Sequence, residues 1–293
     1  MKSIKNIPGI PLVLSVLFAL LITSGCERDI TVDLPTPEKE LVVEGYINPG
    51  GPAYVFISRT AEFFAPVDSA SLAGYAEKNA LVVVSDGIIS DTLIAPLPDI
   101  GYLYISTQLT GEVGKTYSLY IRTADGKEAT STSTIKPPVV LDSVWFKVQA
   151  DLDSLGWMWA RLTDPGTPGN AYRWFAKRIN KDDDFISPSG SVFEDKFFNG
   201  LSFDLVYNRG ELPNSTAEED ENEEDGYYKK GDTIVVKFAS ITKESFDFWR
   251  AAETQSSSNG NPFGSAAPLN SNVQGAIGIW EGFSYTLDTV IAQ

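Results

Sequence analysis

Histidine is absent from the 293 residues, and cysteine occurs once, at Cys26. Zinc and copper sites draw mainly on those two side chains, and Ser-His-Asp and Cys-His nucleophile pairs require them. That chemistry is excluded, as is any internal disulfide. Bases are also scarce, 23 lysines and arginines against 39 acids, which leaves a net charge of −16. So acidic a chain is a poor partner for nucleic acid or for bare anionic lipid. No cofactor and no resident metal are expected. What survives is carboxylate chemistry, such as glycoside hydrolysis by two acids, and oxygen-ligated calcium.

Long apolar runs are nearly absent too. The exception follows Lys2 and Lys5: residues 7–25 are uncharged, with LVLSVLFALLI at 12–22 as their most apolar part. A basic start and an apolar stretch shorter than the roughly 20 residues of a membrane span form a signal-peptide pattern. It ends in Thr23-Ser24-Gly25, small residues directly before Cys26. The arrangement resembles the lipobox of bacterial lipoproteins, with Thr23 where Leu is commonest. Residues 1–25 are therefore expected to be cleaved, and Cys26 to be lipidated. Two or more acyl chains at about 0.8 kcal/mol per buried CH₂ anchor a protein stably. Removal of Lys2 and Lys5 would take the net charge from −16 to −18.

Residues 26–39 are polar and punctuated by Pro35 and Pro37, which suits an extended tether. Beyond them, short apolar runs at 41–47, 53–58, 80–85 and 116–122 alternate with turn residues such as Asn48-Pro-Gly-Gly51, Asp86-Gly87 and Asp125-Gly126. Period-two alternation and glycines free to take positive φ predict antiparallel strands. Pro137-Pro138 cannot continue a ladder and marks a boundary. All six tryptophans lie after it, on further alternating segments. A helix is predicted from an N-cap at Ser240 or Thr242 through Ala252, stopped by 259–262. The expected fold is mainly β: two consecutive immunoglobulin-like β-sandwich domains, 40–136 and 139–293, with one short helix near the C-terminus.

Candidate sites follow from composition. The acidic run at 218–225 has a loose calcium-loop spacing at Glu221, Glu223, Asp225 and Gly226, yet Asp232 stands where a closing Glu belongs. A solvated charge block is the competing reading, here and at Asp182-Asp-Asp184. Trp157, Trp159 and Trp174 are candidates for a platform under a sugar ring or a peptide, against the plainer reading that strand aromatics form core. No carboxylate pair stands out as an acid/base couple, and no catalytic residue is assigned. The string Asp-Ser/Thr-small or aliphatic recurs at Ser69, Thr92, Ser143, Ser154, Thr233 and Thr289. It resembles the O-glycosylation acceptor of exported Bacteroidota proteins. Equally, a turn Asp before a β-former is how a strand begins.

Several segments taken in order, DLPTPEKELVVEGYI at 33–47, GKTYSLYI at 114–121, Asp164-Pro165 leading to Asn170-Ala-Tyr-Arg173, NPF at 261–263, Ser271-Asn272 and GAIGIW at 275–280, resemble the Bacteroidota lipoproteins grouped as domain of unknown function 4249. The resemblance spans nearly the whole chain after Cys26. It implies a setting beside TonB-dependent outer-membrane transporters and carries no catalytic residues with it. The expectation is a non-enzymatic accessory or ligand-binding subunit, held on the outer membrane by its lipid. A structural envelope protein, a carboxylate-based glycosidase and a calcium-dependent adhesin are the alternatives.

Overall fold

The computed structural model describes residues 38–61, 74–97, 102–210, 226–257 and 268–293. Within them, alternation becomes strand wherever it was predicted. β1 (Leu41–Ile47) and β2 (Pro52–Arg59) bury Val43, Ile47, Ala53, Val55 and Ile57, every second residue, and point the others outward. β3 (Leu81–Ser85), β4 (Ser90–Thr92), β5 (Leu103–Thr110), β6 (Thr116–Arg122) and β7 (Glu128–Thr134) follow. In the second half come β8 (Ser143–Val148), β9 (Leu155–Thr163), β10 (Ala171–Arg178), β11 (Val192–Glu194), β12 (Ser202–Tyr207), β13 (Tyr228–Lys229) and β14 (Thr233–Ile241). The helix α1 (Lys243–Ser257), then β15 (Ile277–Gly282) and β16 (Ser284–Ile291), complete the chain.

Four sheets pack as two sandwiches, so the mainly β sandwich expectation holds. The first faces β15-β1-β2-β5 against β4-β3-β6-β7 over Val43, Val55, Val84, Leu119 and Trp280. The second faces β11-β10-β14-β16 against the sheet of β8, β12 and β13 around β9, over Met158, Leu162, Tyr172, Trp174 and Phe238. At 15 residues α1 is longer than the short helix expected. The Thr242 hydroxyl caps it, accepting the Ser245 N–H at 3.2 Å, whereas Ser240 accepts the Val139 N–H instead. The predicted stop at 259–262 lies outside the described residues. No helix among the described residues is long and apolar enough to cross a membrane.

One feature departs from two consecutive domains. Pro137-Pro138 does separate β7 from β8, but β15, far beyond it, returns to pair in parallel with β1 and completes the first sandwich. The reason is local packing. Trp280 is fully buried and sits opposite Gly45, where a Cβ would lie 2.8 Å from the indole, so only glycine lets the ring in. Gly278, at φ +139, comes so near the Val43 carbonyl that no side chain fits there either. Lys39–Gln293 is in consequence one compact unit.

Candidate functional site

Strand alternation divides β10 into two faces. Tyr172, Trp174 and Ala176 go into the core of the second sandwich, and Arg173, Phe175 and Lys177 point away from it. On the neighbouring β14, Lys237 stands opposite Phe175 and Ala239 opposite Arg173, on that same outer face. Across from it lies the outer face of the first sandwich, with Glu44 and Tyr46 on β1, Tyr54 and Phe56 on β2, and Glu281 on β15. Trp249 of α1 closes one end. These residues enclose a cavity of about 560 Å³, within the usual range of roughly 300–1,000 Å³ for small-ligand sites.

The two walls differ in chemistry. One is a row of rings: Tyr46 and Tyr54 with centroids 5.3 Å apart, Tyr54 and Phe56 at 6.0 Å, and Phe283 edge-on to Tyr46 at 6.2 Å. The other is cationic. The Arg173 guanidinium stacks 3.6 Å over Trp249, and the Lys237 ammonium stands 4.4 Å from Phe175 and 4.6 Å from Phe185. Arg173 and Trp249 also line a second cavity of about 540 Å³, so their stack is the partition between the two.

Glu281 is the most constrained group. It is 3% exposed, its Oε2 accepts the Trp249 Nε1–H at 3.2 Å, and its Oε1 has no partner. Burial raises its hold on the proton, against the opposing pull of Arg173 and of the hydrogen bond from Trp249. Burial likewise pushes Lys237 down, helped by the positive charge of Arg173, and pushes Arg173 down against Glu281. The Tyr46 hydroxyl donates to Glu44 Oε1 at 2.5 Å; burial first, and then the charges of Glu44 and Glu281, raise its pKa.

The tryptophans proposed from sequence stand elsewhere. Trp174 is fully buried and stacks on Tyr207 with centroids 4.8 Å apart. It cannot touch a ligand, a correction that follows from alternation, because its neighbours Arg173 and Phe175 take the outward face. Trp157 and Trp159 are half-buried on the opposite outer face of the second sandwich, stacked on Tyr227 and Trp145 respectively, each at 6.2 Å. They share a sheet face with each other and none with the cavity.

The other candidates are scattered. Cys26, Ser69 and the acidic run at 218–225 lie outside the described residues. In the second acidic cluster, Asp182 is committed to Arg178, 2.8 Å from its Nη2, whereas Asp183 and Asp184 are exposed. Thr92, Ser143 and Thr289 are exposed, and Ser154 and Thr233 half-buried. Asp142 and Asp232 immediately precede β8 and β14, and Asp232 accepts the Lys229 N–H at 2.9 Å in the turn before β14. Asp153 and Ser154 precede β9 in the same way. Sequence reasoning missed the cavity, although Arg173 and Lys177, two bases four residues apart in an apolar alternating strand, mark its face.

The chain matches none of the curated proteins. Among solved structures it is similar to a chain described as "Cytokine receptor complex - Crystal form 1A", at 9% identity and a TM-score of 0.23, covering 85% of this chain and 96% of that one. It is similar as well to a two fibronectin type-III domain segment from chicken tenascin, at 12% identity and a TM-score of 0.22, covering 70% and 92%. The model of the family described as Domain of unknown function (DUF4249) matches residues 27–288, and the chain belongs to that family.

Proposed function

We propose that the chain is a Bacteroidota lipoprotein, anchored in the outer membrane through Cys26, that binds a small ligand without transforming it and serves as accessory subunit to a TonB-dependent transporter. Glu281 carries the binding part of this reading. A buried carboxyl oxygen without a partner costs about 1–3 kcal/mol; Oε1 of Glu281 is such an atom, and Glu281 is one of the residues lining the cavity, so a ligand group that reached it would offset that cost. The anchor rests on the signal-like pattern ending at Cys26. Confinement to a membrane lets a weak interface suffice, since tethered partners meet at an effective concentration near millimolar.

Cross-linking intact cells, solubilising the outer membrane and identifying what is bound tests the partnership. A transporter recovered with the lipidated chain, and not with a form lacking residues 1–26, is the expected result. Recovery of none, together with unaltered growth of the deletion strain on every nutrient tried, favours a structural envelope role.

A second reading has one observation in its favour. Glu44 and Glu281 both line the cavity, on adjoining strands, as diagonal neighbours in register. Two carboxyls, one of them shifted by burial towards its protonated form, are the parts of a glycosidase. Hydrolysis of aryl glycosides that disappears in Glu281→Gln would establish it.

A further inference from the structure

This inference rests on the binding reading above and names the ligand. Acids outnumber bases 39 to 23 in the chain, so an inward-facing base has no shortage of partners. Arg59 has taken Glu77, Arg178 Asp182, Lys181 Asp232 and Lys243 Glu194. On the outer face of β10 and β14, three half-buried bases have taken none. Among the described residues Arg173, Lys177 and Lys237 have no carboxylate within ion-pair distance, and the Arg173 Nε–H is buried without an acceptor.

Rings hold these bases in place instead. Arg173 lies 4.6 Å from Phe175 as well as over Trp249, and Lys177 and Lys237 stand 5.3 and 4.6 Å from the centre of Phe185. A ring face orients a cation without neutralising it, and the like charges of Arg173 and Lys237 act against each other. The acids that line the same cavity are otherwise engaged. Glu281 accepts from Trp249 and is biased by burial towards its neutral form, Glu44 accepts from Tyr46, and Asp184 is exposed to solvent.

We infer that the cavity takes a small carboxylate borne on a ring, the ring lying against Tyr46, Tyr54 and Phe56 and the carboxylate held by Arg173 and Lys237, with Lys177 adding positive charge on the same face. A sugar acid and an aromatic acid both offer that chemistry. Each brings the negative charge that the cationic wall lacks and a flat or apolar face for the wall of rings.

Isothermal titration of the detergent-solubilised full chain with glucuronate and with benzoate distinguishes the two sources, and glucose and benzamide serve as their uncharged counterparts. At least one acid is expected to bind, at least about tenfold more tightly than its counterpart. Lys237→Met keeps the aliphatic stem and removes a desolvated charge. It should weaken the acid by about tenfold or more while leaving the melting temperature unchanged or higher. Lys177→Met, at a more peripheral position, gives a smaller loss in the same direction, and it keeps the test valid should the first variant fold poorly. Equal binding of an acid and its counterpart overturns the anionic assignment and leaves the binding reading intact. Failure of both acids to bind also overturns it, and the cross-linking experiment then decides the accessory role separately.

Discussion

The indole Nε1–H of Trp280 donates to the carbonyl oxygen of Tyr117 at 2.9 Å, across 163 positions of sequence and between the two sheets of the first sandwich. With Tyr117 itself fully buried beside it, this contact places the end of the chain inside the core formed by its beginning. Trp280→Ala removes the hydrogen bond and leaves a large cavity, so it should cost about 3–5 kcal/mol of unfolding free energy, read by urea denaturation. A fragment ending at residue 138 lacks β15 and is expected not to melt cooperatively. A well-dispersed amide spectrum from that fragment would contradict the role given to Trp280.

Asp91 is a second point of dependence. Fully buried on β4, its Oδ2 accepts from the Ser106 hydroxyl at 2.6 Å and from the N–H groups of Thr107, Gln108 and Leu109 at 2.9, 2.7 and 3.1 Å. Burial raises the affinity of this carboxylate for a proton, but the four hydrogen bonds outweigh it and hold the group below its ordinary value of 3.8. The stabilisation is therefore complete above that value and lost as pH falls through the folded one. Asp91→Ala should cost about 3 kcal/mol at neutral pH. Asp91→Asn should lose the part of the acid-unfolding limb that belongs to this group, as followed by circular dichroism between pH 5 and 2.

Glu281 has the opposite sign. Between the ordinary value of 4.5 and its raised folded one, the native state keeps a proton that the unfolded chain has released. Stability then falls as pH rises through that window. The groups that face it are Arg173 and Lys237, Glu44 and Tyr46, Trp249 and Ser245. Glu281→Gln cannot ionise and should be at least as stable as the wild type at pH 7, with the difference closing towards pH 4. A variant less stable than the wild type at pH 7 would mean that the Arg173–Glu281 attraction outweighs burial.

The elements were legible in the sequence because their signals are short-ranged. Period-two burial and Gly-containing turns gave β1 and β6 to the residue, and the Thr242 cap gave the start of α1. The site was not legible because strands of two sheets, far apart in the sequence, build it. Nothing near Glu44 announces Glu281, and nothing near Arg173 announces Lys237. Trp174 attracted attention as the largest residue of its strand, and its size is what sends it inward. Arg173 and Phe175, one step to either side, inherit the outer face.

The lipid assignment makes a direct prediction of its own. Cells grown with a palmitate analogue should label the wild type and not Cys26→Ala, which should remain uncleaved or be released. Equal labelling of the two would sink the anchor.

The parallel pairing of β15 with β1 also bears on how the nascent chain matures. Synthesis runs from the N-terminus at about 5–20 residues per second, so β1 and β2 emerge long before the partner that borders β1 on its other side. Until residue 282 has left the ribosome, β1 presents an open row of backbone donors and acceptors, the kind of edge that recruits foreign strands. Closing it requires a contact between distant parts of the sequence, the slowest kind to form. Any holding factor that recognises extended strands thus has its longest-lived target in this protein at Leu41–Ile47, and the first sandwich, although its other strands emerge earliest, stays open until nearly the end of synthesis.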